Sequence, residues 1–593
     1  MKPSRRGAGA RRLAPLIALL VPVALALAFA GTGRLERADF VFNSGGEVST
    51  LDPAAVTGVP EARIVRALFE GLCTRDPASL APWPGVARSW DVSPDGRTYT
   101  FHLRPDALWT NGDPVTAQDF EWSFERLLAP ETGASYASLL WCVTGAQAYT
   151  SGVDSAGEPL ERDWKSVAIQ ALDASTLRIR LIAPVPYFLD IVSFHALSPV
   201  HRGSIEALRR SAPDSWQRDW LKPERLVSNG PFQLAERRLN DRIRLEKSPT
   251  YWDRDRVAFR TIDALAIERG GTALNLYLAG EIDWLDATLP TNLVPQLLLR
   301  EDFRASGYFG SYFYRVNTTK PPLDDARVRV ALAKAIPRRE ICDKILKAGQ
   351  RPSTSIVPWG RMSGYVSPPG PDEGPLAAQE LLELAGYGPK GKPFPPIEVH
   401  YNTGDVHRDI AEVIAAAWRK ELGIDARLRN QEWKVYLDTQ KELGYDVSRS
   451  SWIADYVDPS TFLEVWVSGN ENNRTGWSNA RYDELVARAR EERNVARRDQ
   501  ILAQAESILL AEMPVLPIYS YVSQNLVSPR LGGFFPNPLN DQFPKAWYWR
   551  DDPELIASRQ ERGMPHPTAP ARGPSEGLYA PAVLSARQPS PSR

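Results

Sequence analysis

Strand-like and helix-like patterns alternate along most of this chain, with short connections between them. Residues 98–104 (TYTFHLR) and 176–182 (TLRIRLI) alternate β-branched and polar side chains, which is typical of half-buried strands. Residues 424–433 and 515–528 show strand patterns as well. Because alternating helices and strands pack as helices on sheets, the chain is predicted to fold into α/β lobes.

The helical segments carry their own start and stop signals. Residues 116–128 place apolar side chains on one face and begin at Thr116, a residue type that caps helix N-termini. Residues 406–423 predict a longer helix that ends at a glycine. Residues 480–514 predict two helices with a break near Asn494.

The length and charge of the chain limit its architecture and its partners. A chain of 593 residues exceeds an ordinary single domain and predicts two to four lobes. It has 71 Lys and Arg against 72 Asp and Glu, so its net charge is -1. This balance gives no support for binding nucleic acid or an acidic membrane surface through bulk charge.

The N-terminal segment 1–30 has the layout of a secretory signal peptide. A basic stretch, MKPSRRGAGARR, precedes the apolar run 13–30, which ends in Ala-Phe-Ala and predicts cleavage near Ala30. A retained membrane anchor is the alternative, because about 18 apolar residues can just span a bilayer, although Pro15 and Pro22 weaken it. No Cys follows the run, so no lipoprotein attachment is expected and the segment indicates a bacterial periplasm.

The C-terminal residues 553–593 differ in composition from the rest of the chain. Pro, Ala, Ser and Arg dominate, and few side chains there could form a core. We expect a disordered tail, with a docked extension as the alternative.

The residues most often used in catalysis and metal binding are sparse. Three cysteines, Cys73, Cys142 and Cys342, permit at most one disulfide, whose pairing the sequence does not specify. The six histidines lack metal-ligand spacing, so neither a metal nor a cofactor is predicted. The chain contains no nucleophile elbow, P-loop or dinucleotide-binding fingerprint, and we do not expect an enzyme.

The stretch 450–462, SSWIADYVDPSTF, places two aspartates among aromatic residues without a Lys or Arg. Burial of a carboxylate costs free energy unless a cation meets it. Asp455 follows an apolar pair and therefore needs a positive partner from elsewhere. Asp458 precedes Pro459 and is predicted to begin a turn or a helix.

Several segments together resemble the oligopeptide-binding proteins of bacterial ABC importers (solute-binding protein family 5). The segments include NSGGEVSTLDPAAVTG, PDGRTYTFHLRPDALWTNGDPVTAQDFEWSFERL, SNGPFQLAERRL, LYLAGEIDWL, NQEWKVYLDT and the aspartate-containing stretch itself. They follow the order of the family and span about residues 39–549, which makes the resemblance specific.

The resemblance implies an α/β, three-lobed periplasmic-binding-protein fold of the class II, cluster C type, with the ligand enclosed between two hinged lobes. Lobe I would be discontinuous and comprise residues 39–69, 202–309 and 523–552. Lobe II would comprise residues 70–201, and lobe III residues 310–522. The last predicted strand would carry the chain from lobe III back into lobe I.

The resemblance also implies a function. The chain would capture oligopeptides in the periplasm, close around them as a monomer and deliver them to the permease and ATPase subunits of an ABC importer. The alternatives are the same fold binding a dipeptide, haem, a nickel complex or a sugar, and a periplasmic peptide chaperone.

Four site residues follow from the family pattern and concern the peptide termini. Asp455 matches the residue that holds the peptide α-ammonium, and Tyr136 matches a tyrosine near the same terminus. Arg449 and His407 match residues that serve the peptide carboxylate at different peptide lengths. The alternatives are a turn-capping Asp, a core Tyr, an ion-paired Arg and a His at a helix start.

Three further residues match positions that contact the rest of the peptide. Trp433 and Trp452 correspond to aromatic walls of side-chain pockets, where apolar and cationic groups are both accepted. Val59 corresponds to a segment whose backbone meets the peptide.

The chain departs from the family pattern at four positions. Gln440 stands where the pattern has a third cation, and Thr57 stands where it has an acid. Ile453 and Gly310 occupy the places of two cysteines that a family example pairs, so this chain lacks that crosslink. The preferred peptide length is therefore left open.

Overall fold

The computed structural model describes residues 36–153, 159, 161–286, 289–290, 292–358, 364–389, 391–492 and 494–553. The chain divides into a segment Met1–Asp39 and a unit that begins at Phe40, to which all elements below belong. The predicted signal peptide and all but Pro553 of the predicted tail lie outside the described residues. No helix among the described residues combines the length and apolar character needed to cross a membrane.

The strands are β1 (Phe40–Asn43), β2 (Cys73–Arg75), β3 (Pro82–Pro84), β4 (Ala87–Val92), β5 (Thr98–Leu103), β6 (Ile169–Asp173), β7 (Thr176–Arg180), β8 (Phe232–Arg238), β9 (Arg242–Lys247), β10 (Thr261–Leu265), β11 (Trp284–Asp286), β12 (Phe303–Val316), β13 (Arg351–Pro352), β14 (Ile397–Asn402), β15 (Ala426–Gln431), β16 (Val447–Ile453), β17 (Val515–Val527), β18 (Leu531–Gly532) and β19 (Tyr548–Trp549).

The helices are α1 (Val59–Leu68), α2 (Ala117–Leu128), α3 (Ala146–Ser151), α4 (Phe188–Val192), α5 (Arg202–Ser211), α6 (Trp216–Asp219), α7 (Gly270–Leu278), α8 (Val294–Leu297), α9 (Ala326–Lys334), α10 (Arg338–Glu340), α11 (Pro375–Leu384), α12 (Asp405–Leu422), α13 (Trp433–Lys441), α14 (Ser460–Leu463), α15 (Ala480–Glu491) and α16 (Val495–Glu512). A π-helical turn, Ile341–Leu346, continues α10.

The helix boundaries follow from local capping chemistry. The Thr116 hydroxyl accepts a hydrogen bond from the Asp119 N–H, and the Asp119 carboxylate accepts one from the Thr116 N–H, so a capping box begins α2. Helix α12 ends at Gly423, whose φ of 69° is easily reached without a side chain. Asn494 caps α16 after the break from α15. These helix predictions and the four predicted strands are confirmed.

The described residues form a mixed main sheet of eleven strands. The order is β15-β14-β16-β12-β17-β11-β1-β10-β9-β8, and β13 pairs with β17. Strand β1 is parallel to β10 and β11, and β14 is parallel to β15 and β16, whereas β12 runs antiparallel to both neighbours. A separate antiparallel sheet has the order β4-β5-β7-β6. The mixed sheets and their helices confirm the α/β class.

Strands β12 and β17 are the long connection between the two halves of the main sheet. They pair from Phe303 to Arg315, but the register shifts between Gly307 and Ser311. A shift of this kind bends the paired strands locally. The predicted boundary between lobes I and III, at 309/310 and 522/523, falls at this irregularity, while the lobe boundaries themselves stay a prediction.

The apolar core consists of two clusters of buried residues. The smaller cluster lies wholly between Tyr312 and Tyr519 and surrounds Trp418 of α12. The larger cluster joins residues of the first 309 positions to Trp466 and Trp547. The three cysteines are buried free thiols, so they form no disulfide with one another.

Candidate functional site

A cavity of about 400 Å³ lies where β16 ends and the helices α1, α12 and α13 begin, a size typical of small-molecule sites. Its lining includes every predicted site residue: Val59, Tyr136, His407, Trp433, Arg449, Trp452 and Asp455. Residues far apart in the sequence thus meet in one place, as the prediction requires. Their individual roles remain proposals.

Asp455 lies just past the end of β16, and only 7% of its surface is exposed. Its carboxylate accepts hydrogen bonds from the Thr461 hydroxyl at 3.3 Å and the Tyr136 hydroxyl at 3.5 Å. Within the described residues, no Lys, Arg or His forms an ion pair with this carboxylate. The Arg75 guanidinium donates instead to the main-chain oxygen of Asp455, at 2.5 Å, and pairs with Asp541 at 3.3 Å.

The pKa of Asp455 reflects this environment. Burial raises the pKa to about 7, against smaller opposing effects of the Thr461 hydrogen bond and the Arg75 charge. A carboxyl group in this state binds a proton or a ligand cation near neutral pH. The sequence-based expectation that Asp455 needs a positive partner therefore agrees with its surroundings.

Tyr136 is held beside Asp455 by aromatic packing. Its ring meets Phe194 edge-on at 4.9 Å between centroids and lies 6.1 Å from the Trp452 ring. The indole N–H of Trp452 is buried and has no partner among the described residues. These aromatic rings thus form an apolar surface beside Asp455, and the Trp452 indole N–H remains available as a hydrogen-bond donor.

Arg449 is a buried cation, 6% exposed, on β16. Its guanidinium donates to the Asn402 side-chain oxygen and to the Tyr521 hydroxyl, both at 3.1 Å, and lies 4.7 Å from the centroid of the Tyr312 ring. Its Nε is buried without a partner, and no carboxylate of the described residues pairs with it. A buried cation in this condition is costly unless an anion meets it.

His407 lies in the first turn of α12, with Nδ1 at 3.3 Å from the Tyr312 hydroxyl. Burial, and secondarily the Arg449 charge, lower its pKa well below the usual value. His407 is therefore neutral at pH 7 and can donate a hydrogen bond without adding a charge. Of the two residues predicted for the carboxylate, Arg449 alone carries the charge in this structure.

The remaining predicted positions complete the cavity wall. The Trp433 indole donates to the Glu61 carboxylate at 3.2 Å, which joins the start of α13 to α1. Val59, at the first position of α1, is 37% exposed. Gln440 donates to Tyr436, to Ser448 and to the Arg449 main chain, so its amide protons are already committed.

Gly310 and Ile453, the two positions where no crosslink is expected from the sequence, face each other. Gly310 of β12 is the cross-strand partner of Ile453 of β16. A Cβ atom placed on Gly310 would lie 2.4 Å from the Ile453 Cδ1 atom. The isoleucine side chain therefore fills the space over the glycine.

Five arginines of the cavity wall were not predicted, and two of them, Arg315 and Arg474, have no acid of the described residues as an ion-pair partner. Arg315 stands inside the apolar strand SYFYRV, and a charged residue in such a strand is a signal that a sequence can show. Arg474 lies in the loop NENNRTGW, which contains no such signal. Both line the cavity.

Comparison with known proteins gives one consistent result. The chain matches the family of bacterial extracellular solute-binding proteins, family 5 Middle, over residues 81–474. The periplasmic murein peptide-binding protein MppA of Escherichia coli K12 is 35% identical over 531 residues, covering 87% of this chain and 94% of that protein. The periplasmic oligopeptide-binding protein OppA of the same strain is 34% identical over 527 residues, covering 88% and 94%.

Solved structures also distinguish two arrangements. The structure of the E. coli murein tripeptide-binding protein MppA has a TM-score of 0.80 at 34% identity, covering 87% of this chain and 99% of that one. Haemophilus influenzae OppA in complex with RPPGFSPFR has a TM-score of 0.81 at 32% identity and the same coverage. The unliganded open form of MppA reaches 0.57 at 34% identity, covering 87% and 98%. The two MppA structures have the same sequence identity to this chain, so the lower TM-score of the open form reflects a different arrangement of that structure. This chain does not adopt the open arrangement.

Proposed function

The chain belongs to the bacterial extracellular solute-binding proteins of family 5, and from this premise we propose that it binds oligopeptides in the cavity around Asp455. In this proposal the Asp455 carboxylate binds the peptide α-ammonium and the Arg449 guanidinium binds the carboxylate. The observation that carries it is the environment of Asp455, a buried acid whose pKa is about 7 and which forms no ion pair with a cation of the described residues. A charge-assisted hydrogen bond to an ammonium is strong in such a place.

The other predicted residues take supporting roles. Tyr136 orients the Asp455 carboxylate, and neutral His407 donates a hydrogen bond to a carboxylate near Arg449. Trp433 and Trp452 bound the side-chain pockets, and the backbone at Val59 pairs with the extended peptide. Many sequences can then bind, because the charged termini and the backbone are common to all peptides.

Binding serves import. Proteins of this family are binding proteins, and the relatives act in the periplasm, so we place this chain there as the capturing subunit of an ABC importer. Closure of the cavity around a peptide would create the surface that the permease recognises. A ligand shifts the hinge only as far as it prefers the closed state, and a pair of buried charges provides that preference.

Calorimetry with trialanine and N-acetyl-trialanine tests the proposal. We expect N-acetylation to weaken binding at least about 100-fold, because the acetyl group removes the charge that Asp455 meets. Asp455→Asn should weaken binding of the free peptide to a similar degree. Asp438→Asn, an exposed change on α13, serves as the matched control. Equal affinity of the wild-type protein for the two peptides would refute the role of Asp455.

A further inference from the structure

The cavity contains more positive charge than the two ends of a peptide require. Arg63 of the wall pairs with Asp286, and Arg66 and Arg75 pair with Asp541. Each of those three cations thus has an acid of the protein as a partner, although Arg66 and Arg75 share one carboxylate, and Arg449 is assigned to the peptide carboxylate. Two arginines of the lining, Arg315 and Arg474, have no role in binding the peptide termini and no ion-pair partner among the acids that the structure describes.

Arg315 is fixed in place and buried, with 3% of its surface exposed. Its Nε donates to the Ser450 hydroxyl at 3.1 Å, and its Nη1 donates to the main-chain oxygens of Asn472, at 2.8 Å, and Asn473. The guanidinium lies 5.1 Å from the centroid of the Trp466 ring. None of these partners is an anion, so its charge is uncompensated within the described residues.

Arg474 lies on the loop that contains Asn472 and Asn473, and its guanidinium forms only long hydrogen bonds. Its Nη2 reaches the Ser135 hydroxyl and the Asn472 side-chain oxygen only at 3.5 Å, the upper limit for a hydrogen bond. No carboxylate of the described chain forms an ion pair with it. Burial lowers the pKa of both Arg315 and Arg474, and the charge of Arg474 lowers that of Arg315 further.

The contacts place this pair near the amino-terminal end of the proposed ligand. Ser135, which Arg474 touches, precedes Tyr136, and the Tyr136 hydroxyl reaches the Asp455 carboxylate. Asn472, which lies between the two arginines, donates to the Ser135 main-chain oxygen at 2.7 Å. The Arg474 guanidinium is thus near the Asp455 end of the cavity, while Arg315 bonds Ser450, the residue that follows Arg449.

We propose that Arg474, reinforced by Arg315, forms a subsite for the acidic side chain of a glutamate or aspartate in one of the first two residues of the bound peptide. Two neighbouring guanidiniums, one buried and one half-buried, favour an anion, and a carboxylate matches the planar fork of an arginine. The inference rests on the proposed peptide-binding function. It adds a preference for acidic side chains that the family's general binding mode does not require.

Matched tripeptides test the subsite by calorimetry. Glu-Ala-Ala and Ala-Glu-Ala are compared with Gln-Ala-Ala and Ala-Gln-Ala, which keep the shape and remove the charge. We expect at least one glutamate peptide to bind about tenfold or more tightly than its glutamine counterpart. Arg474→Gln should abolish this ratio while leaving the affinity for the glutamine peptides unchanged.

Two further variants separate a direct contact from a structural effect. Arg474→Lys keeps the charge and should retain part of the ratio, whereas Arg497→Gln, an exposed change on α16, should retain all of it. Equal affinity for the two peptides of each pair, or a ratio unchanged in Arg474→Gln, would overturn the subsite. An equal loss for both peptides in Arg474→Gln would also overturn it, since that pattern marks a structural role. If no tripeptide binds the wild-type protein, the proposed function fails and the subsite fails with it.

Discussion

Two aspartates three residues apart, Asp455 and Asp458, have different hydrogen-bond and ion-pair partners because different side chains approach them. Asp458 accepts the N–H of Ser460 at 2.9 Å and binds both nitrogens of the Arg498 fork, at 2.7 and 2.8 Å. Asp458 thus accepts the first N–H of α14, which agrees with the predicted turn or helix start, and it is neutralised by an arginine 40 residues away. Among the described residues, the Asp455 carboxylate accepts hydrogen bonds from the Tyr136 and Thr461 hydroxyls and forms no ion pair, which is why we propose an external cation for it.

Peptide affinity is predicted to depend on pH in a way that identifies Asp455. Its carboxylate must lose a proton, with a pKa of about 7, and the peptide amine must keep one, with a pKa of about 8. The affinity should therefore rise from pH 5 to pH 7 and fall above pH 8. Calorimetry in buffers of different ionisation enthalpy should show release of about one proton per peptide at pH 6. An affinity that is flat from pH 5 to pH 7 would contradict the assignment.

Replacement of Asp455 by Asn is predicted to stabilise the ligand-free protein at alkaline pH. The pKa of Asp455 is higher in the folded protein, about 7, than in an unfolded chain, about 4, so its ionisation lowers stability as the pH rises through this interval. A shift of about three pKa units corresponds to about 4 kcal/mol if Asp455 stays buried. Because opening of the cavity lets Asp455 ionise in water, the variant should gain less than this at pH 8, on the order of 1–3 kcal/mol in the free energy of unfolding. At pH 4 both proteins should unfold alike. Urea titration at the two pH values measures the difference, and a gain of equal size at pH 4 would show another cause.

At the scale of elements, β12, β16 and β17 connect the cavity to the sheet. Strand β16 supplies Arg449 and Trp452 and leads into Asp455, while β12 supplies Arg315. The long pair β12–β17 continues past the cavity with its register shift near Gly307. A cavity built on sheet strands keeps its charged groups at fixed separations, which a site made only of loops would not.

The cross-strand partners Gly310 and Ile453 are predicted to accept a disulfide. They lie opposite each other on neighbouring strands, and Gly310 has no positive φ that would exclude a side chain. The double variant Gly310→Cys with Ile453→Cys should oxidise and add about 2–4 kcal/mol of stability, because the bond closes a long loop. Thiol titration and thermal melting with and without reductant measure the effect. The Gly310→Cys single variant, with no new partner, should show no gain that depends on reductant.

At the scale of the whole molecule, distant segments meet around the cavity. Trp433 bonds Glu61, Asn472 bonds Ser135, and the rings of Tyr187 and Tyr456 stack at 4.6 Å. These contacts join segments that the predicted lobe boundaries separate. These contacts agree with the TM-scores, which are lower for the unliganded open form of MppA than for the other MppA structure and the OppA complex.

Peptide binding is predicted to compact the protein in solution. The ligand-free protein should populate an open arrangement, because closure buries Asp455 and Arg449, and neither of them forms an ion pair within the described part of the chain. Small-angle scattering should show a smaller radius of gyration on addition of a saturating tripeptide. Asp455→Asn should show no such decrease at the same peptide concentration. An unchanged radius in the wild-type protein, with binding verified by calorimetry, would contradict closure.

The sequence by itself determined the elements of this protein and the residue types of its site. Periodic apolar patterns and capping residues such as Thr116 and Asn494 act within a few neighbouring positions, so helices and strands could be predicted locally. Resemblance to the family then selected seven site residues, which all line one cavity. The tertiary structure alone decided the charges: Tyr136 reaches Asp455 across 319 positions and Arg75 across 380, while no acid in the described ranges pairs with Arg315 or Arg474. Electrostatic balance depends on distance in space and on burial, and neither quantity can be read from the order of the residues.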